Sequence, residues 1–143
     1  MNMEHAEQQL TRIKYPHMKQ YEIEIWKRFL RQHGKGFTDF KYDVHVGKGI
    51  GVVPGYDKVT QDMAIHLTQK RIDVVAYKGA RAFIVEIKDR AGMSAIGQLV
   101  AYKRLYEEKY GPGTIAGLAI VARDIDSDID HVAKTMNIQV VLV

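Results

Sequence analysis

Two apolar, β-branched runs, Arg71–Lys78 and Arg81–Lys88, flank Gly79-Ala80, and this pairing constrains the chain more than any other segment. Alternating β-branched residues around a glycine-containing turn predict a β-hairpin. Each run carries acid where a buried strand should carry none: Asp73 in the first, and Glu86 in the Glu86-Ile87-Lys88 tripeptide of the second. Strand side chains alternate, so Glu86 and Lys88 share one face and Ile87 points to the other. A Gly79-Ala80 turn sets Asp73 directly across from Glu86. A Lys78-Gly79 turn sets Asp73 across from Ile84 and diagonal to Glu86. Either register brings the carboxylates within roughly 5–8 Å on one face. A three-residue loop would place them on opposite faces.

Two carboxylates that close repel, and burying them costs several kcal/mol each unless positive charge lies between them. A divalent cation meets that need: Asp73, Glu86 and the Ile87 backbone carbonyl offer an all-oxygen, partly open site of the kind Mg²⁺ accepts. Lys88 then stands within reach of a water or a phosphate oxygen at that site. The set suits phosphodiester hydrolysis, in which the metal polarises the phosphate and lowers the water pKa while the ammonium orients the nucleophile or balances charge. A surface ion pair between Glu86 and Lys88, with Asp73 unrelated, is the alternative.

Asp73, then Glu86-x-Lys88, then Gln98-x-x-x-Tyr102 on the following helix resembles the PD-(D/E)xK nuclease superfamily, and the last element is similar to its RecB-like and lambda-exonuclease-like branch. The match covers residues 20–122, with Ile72 standing where the superfamily often has proline. The resemblance implies an α/β, restriction-endonuclease-like core: a mixed central β-sheet flanked by helices. It implies a metal-dependent deoxyribonuclease, with Asp73, Glu86 and Lys88 catalytic and Mg²⁺ or Mn²⁺ held by Asp73, Glu86 and the Ile87 carbonyl. Gln98 and Tyr102, one turn apart on a single helix face, would line the cleft and orient the DNA. Many members draw a further acidic ligand from the first helix. There Glu22 shares a face with Ile25, Trp26, Phe29 and Leu30, whereas Glu24 projects about 160° away, so Glu22 is the choice.

So small a chain leaves little room for sequence-specific recognition, and selectivity for a DNA end, junction, flap or single strand is expected. A RecB-like exonuclease and a dimeric Holliday-junction resolvase both fit, as does a non-catalytic DNA-binding or assembly module on a degenerate nuclease fold. The resemblance allows a homodimer and recombination, repair or replication proteins as partners, and a phage or mobile-element source.

Composition agrees with one globular domain spanning residues 1–143, with 1–16 as a short helix or an arm. Cysteine is absent, which excludes disulfides, thiolate metal sites and the iron–sulfur variants of RecB-like nucleases. No run approaches membrane-spanning length and the N-terminus lacks a signal-peptide pattern, so a cytoplasmic, membrane-free setting is expected. The excess of 21 Lys+Arg over 17 Asp+Glu is compatible with a polyanionic partner.

The remaining pattern predicts a helix over 17–33 closed by Gly34-Lys35-Gly36, a strand over 37–46, a Gly-rich loop over 47–55 and either a helix or an extended lead-in over 60–69. After the hairpin come a helix over 94–110, a strand over 115–122, a helix over 127–136 and a strand over 138–143. The expected order is α-β-β-β-α-β-α-β.

Gly47-Lys48-Gly49-Ile50-Gly51 lacks the Gly-Lys-Ser/Thr ending of a P-loop. It reads as a flexible loop or as a DNA-approaching one, in which Lys48 would meet phosphate. Asp124, Asp126, Asp128 and Asp130 mimic the opening of a calcium loop, but Ile129 and Thr135 occupy the positions that need Gly and Glu. Helix capping explains them better. The six histidines show no metal spacing on one helix.

Overall fold

The computed structural model describes residues 3–12 and 14–143. Residues 1, 2 and 13 of the expected N-terminal arm lie outside the described residues. Helix α1 (Met3–Leu10) is followed by α2 (Gln20–His33), a 3₁₀ turn (Gly34–Gly36), β1 (Asp39–Val46), α3 (Lys58–Thr68), β2 (Lys70–Lys78), β3 (Arg81–Ala91), α4 (Met93–Tyr110), β4 (Ile115–Ile125), α5 (Ser127–Thr135) and β5 (Ile138–Leu142). The sheet runs β1-β2-β3-β4-β5, with β1, β2 and β3 antiparallel and β3, β4 and β5 parallel. Hairpin connections build the first half and helical crossovers the second, giving a mixed sheet flanked by helices, as the sequence pattern implied.

Two apolar clusters fill the two faces of the sheet. Ile25, Trp26, Phe29 and Leu30 of α2 bury against Val74, Ala76, Val85, Ile87 and Val121 on one face. Ala95, Leu99, Tyr102 and Tyr106 of α4 and Ala133 of α5 bury against Val75, Ile84 and Ile120 on the other. Trp26 is fully buried, and its indole N–H donates to the Tyr42 hydroxyl at 3.0 Å, which donates in turn to Gln9 Oε1 at 2.8 Å. That chain satisfies the indole N–H and ties α1 to β1.

Helix α2 begins at Gln20 rather than at His17, because His17 sits in the left-handed region with φ 64° and cannot continue a helix. Of residues 60–69, left open by the pattern, Gln69 is extended and 60–68 are helical and belong to α3, which lies between the first and second strands in the chain. Its start is set by Asp57, whose carboxylate accepts from the Thr60 N–H at 2.8 Å and the Thr60 hydroxyl at 3.1 Å. Asp126 caps α5 the same way, accepting from the Asp128 and Ile129 N–H groups. Among the described residues no helix is long and apolar enough to cross a membrane.

Candidate functional site

The hairpin closes through Gly79-Ala80: Lys78 pairs Arg81, Tyr77 pairs Ala82 and Val74 pairs Val85. Gly79 has φ 60°, the left-handed value that a type II′ turn demands at its first central position. Continued one step, this register sets Asp73 opposite Glu86. Asp73 Oδ2 accepts the Ile87 backbone N–H at 3.0 Å, so Asp73 is bound to the second strand rather than free of it.

Glu86 is buried and Asp73 half-buried. Glu86 is 3% exposed, the one buried charged side chain among the described residues, and its Oε2 has no hydrogen-bond partner. Burial first, then the Asp73 charge facing it, pushes the Glu86 carboxyl up to about 9. Burial likewise raises Asp73, against the Ile87 N–H and the contact with Glu86, which favour its charged form. The two carboxyl groups titrate as a coupled pair, in which the Asp73 charge favours the protonated form of Glu86. Lys88 Nζ lies 3.6 Å from Glu86 Oε1.

These groups open into a cleft of about 650 Å³ formed by the start of β2, residues 86–88 of β3, the start of α2 and Gln98 and Tyr102 of α4. Glu22, Asp73, Glu86, Ile87, Lys88, Gln98 and Tyr102 all line it. The Gln98 amide nitrogen lies 3.4 Å from the Tyr102 hydroxyl, and Gln98 Oε1 is buried without a partner. Burial, then the Glu86 charge, holds the Tyr102 phenol high, at about 12. Tyr102 has a second role as part of the apolar layer beneath α4.

Glu22 stands in the cleft, on the third residue of α2 after the N-cap Lys19. Burial and then the Asp73 charge raise its carboxyl. Among the described residues no three His, Cys, Asp or Glu side chains converge with metal-holding spacing. The acidic centre is therefore the Asp73–Glu86 pair, with Glu22 at its edge. Lys48 lies off the cleft, in a smaller depression lined by Gly47, Gly49, Thr68, Lys70 and Leu105.

The cleft also contains His17, Lys19, Tyr21, Lys70 and Arg71, none of which the sequence pattern singled out. Arg71 was within reach of inference, standing two residues before Asp73 on the same strand. It is fixed by Asp43, whose two oxygens accept from Nε at 2.7 Å and Nη2 at 2.6 Å. His45 and His66, distant in sequence, stack with ring centroids 4.1 Å apart and join β1 to α3.

The donor set fits a hard divalent cation. The Asp73 and Glu86 carboxylates face each other, Glu86 Oε2 lacks any partner, and oxygen donors of this kind are what such a cation takes, although His17 and Met18 line the same cleft. A cation would remove the repulsion that keeps Glu86 protonated.

No protein-family description matches the sequence, and no curated protein matches it significantly. Among solved structures, the fold is similar to that of EndoMS in its complex with double-stranded DNA, with a TM-score of 0.50 and 13% identity over 92% of this chain and 48% of that one. The protein of unknown function AF1548 gives a TM-score of 0.45 and 18% identity over 81% of this chain and 53% of that one. The chain spans about half the length of either protein. At 13% identity the likeness to EndoMS is one of fold, and the fold it marks is the restriction-endonuclease-like core.

Proposed function

We propose that the protein is a metal-dependent deoxyribonuclease of the PD-(D/E)xK type. The observation that carries this reading is the facing Asp73–Glu86 pair, with Lys88 beside it, opening into a cleft of about 650 Å³. Asp73, Glu86 and the Ile87 carbonyl would hold Mg²⁺ or Mn²⁺, which when bound supplies Lewis acidity at the scissile phosphate. Lys88 orients the attacking water and balances the charge that develops on the phosphate oxygens. Gln98 and Tyr102 hold the strand against the acidic centre, and Glu22 tunes its charge from the edge. Arg71, Lys70 and Lys19 along the rim, with Lys48 beyond it, supply positive charge to phosphates on either side.

EndoMS was solved bound to double-stranded DNA, and the shared fold supports DNA as the partner here. The cleft is open and lies close to the chain's own secondary structure, with no appended reading element among the described residues. Selectivity for DNA structure (an end, a junction, a flap or a single strand) follows better from that geometry than sequence specificity does.

The test is incubation of the protein with four-way junction, linear duplex and single-stranded DNA in the presence of Mg²⁺, Mn²⁺ or EDTA. Cleavage that needs the metal and is lost in Glu86→Ala and Lys88→Ala is expected. No cleavage of any substrate by the wild type, or cleavage that survives either substitution, overturns the proposal.

A further inference from the structure

Helix α3 buries none of its residues. An isolated helix of its 11 residues is marginal in water, and tertiary packing normally supplies what propensity cannot. Yet α3 and the loop before it form a built unit. Thr68 Oγ1 accepts from the Ile50 N–H at 2.7 Å, and the Gln61 amide brackets the loop by accepting from the Val53 N–H at 2.6 Å and donating to the Gly51 carbonyl at 2.8 Å. Gln69 Nε2 donates to the Gly47 carbonyl at 2.7 Å. The loop lies so close that a Cβ on Gly49 would come within 2.6 Å of the Ile65 carbonyl oxygen.

This unit presents its apolar side chains outward. Val59, Met63 and Leu67 recur every fourth residue, forming one ridge along α3, and are 74%, 59% and 67% exposed. Ile50, Val52 and Tyr56 from the loop are also more than half exposed, Val52 at 84%. Six such side chains amount to on the order of 700 Å² of apolar surface, close to the roughly 800 Å² per partner that a stable interface buries.

Charge selects the occupant. Residues 47–69 hold two lysines (Lys48, Lys58) and two aspartates (Asp57, Asp62) within a chain of net charge +4. Asp57 caps the helix and Lys58 is paired with Asp62 at 3.1 Å. The surface is electrically neutral, which disfavours a polyanion and puts no repulsion in the way of a second copy. An i, i+4 ridge of three residues is also self-complementary about a two-fold axis: Met63 meets Met63, and Val59 meets Leu67.

We propose that the outer face of α3 and its preceding loop is a homodimer interface, closed about a two-fold axis near Met63. The inference does not depend on the chemistry of the cleft.

The absence of cysteine makes the test clean. Met63→Cys places one thiol at the axis, and mild oxidation is expected to give a disulfide-linked dimer at least tenfold faster than Val100→Cys on α4, exposed but away from this face. Light scattering of the wild type at tens of micromolar is expected to give twice the chain mass, and Met63→Glu or Leu67→Glu to return the monomer with unchanged far-UV circular dichroism. Equal cross-linking rates for the two cysteine variants overturn the proposal, as does a wild type that stays monomeric at every concentration. The cross-linking arm retains its force if a glutamate variant fails to fold.

Discussion

Asp73 on β2 accepts the backbone N–H of Ile87 on β3 at 3.0 Å, and this bond fixes where Glu86 must face. With Asp73 committed to the second strand, Glu86 confronts it across a short gap, buried, with Oε2 unpartnered. The pair is held at the expense of stability until a cation or a proton arrives.

That tension has a pH signature. The Glu86 carboxyl is raised from its ordinary 4.5 to about 9 by burial and by Asp73, so between those values the folded protein holds a proton that the unfolded chain has lost. Stability of the metal-free protein therefore falls as pH rises through this window, by at most about 1.4 kcal/mol per pH unit for one proton. Glu86→Gln is expected to flatten the slope and to raise the melting temperature at pH 8. Millimolar Mn²⁺ is expected to flatten it in the wild type but not in the variant. Thermal melts from pH 5 to 9 with and without Mn²⁺ decide this, and parallel wild-type and variant profiles would falsify it.

Lys88 lies 3.6 Å from Glu86 on the same strand face. Lys88→Ala is expected to lower single-turnover DNA cleavage by about 10²–10³-fold, as loss of one preorganised charged donor does. DNA affinity measured in Ca²⁺ should change less than threefold. A comparable loss in both would make Lys88 a binding residue only.

The Asp43–Arg71 pair carries a pH dependence of the opposite sign. The Arg71 hydrogen bonds hold the Asp43 carboxyl below its ordinary 3.8. A depressed carboxyl contributes stability above the unfolded value and loses it as pH falls through the folded one. Asp43→Asn is expected to cost about 1 kcal/mol at pH 7 in urea unfolding. The gap to wild type should close as pH drops below 3.8.

The buried indole offers a core test. Tyr42→Phe removes the acceptor of the Trp26 N–H and is expected to cost about 1–3 kcal/mol, the penalty of an unsatisfied buried donor. Trp26→Ala is expected to cost about 3–5 kcal/mol by leaving a cavity under α2. Denaturant midpoints for both variants measure the difference.

Phosphate contact away from the cleft is readable from salt dependence. Lys48→Ala and Lys70→Ala should each reduce the slope of log affinity against log salt by about one if the residue neutralises a phosphate. An unchanged slope for Lys48→Ala would put it outside the DNA footprint.

Much of the architecture was legible because period and punctuation agreed. Ile25, Trp26, Phe29 and Leu30 mark one helix face, and all four are buried. Asp73, Glu86 and Lys88 declared themselves as charges inside apolar strands, and the cleft holds all three. Helix α3 was illegible for a physical reason: its apolar residues face outward, so its periodicity had no core to point to, and only the Asp57 cap marked its start. Arg71 and His17 were missed because single basic residues near a turn resemble solvated charges until the fold encloses them. Glu22 was selected by its helix face, and it lines the cleft beside the two acids.

The tip of the β2–β3 hairpin lies at the end of the strands remote from the cleft, and loop tips are where chains ordinarily absorb insertions. Here the tip counts. With two residues at Gly79-Ala80, odd and even positions on β2 and β3 stay in step. Inserting a single residue while the apolar residues of β3 keep their faces would slide Glu86 out of line with Asp73; letting the strand invert instead would swap Ile84 and Val85 between the two clusters and turn Glu86 to the α2 side of the sheet. Drift in this segment is thereby confined to substitutions and paired insertions, and the spacing between the two acids is inherited as a parity rather than as a length.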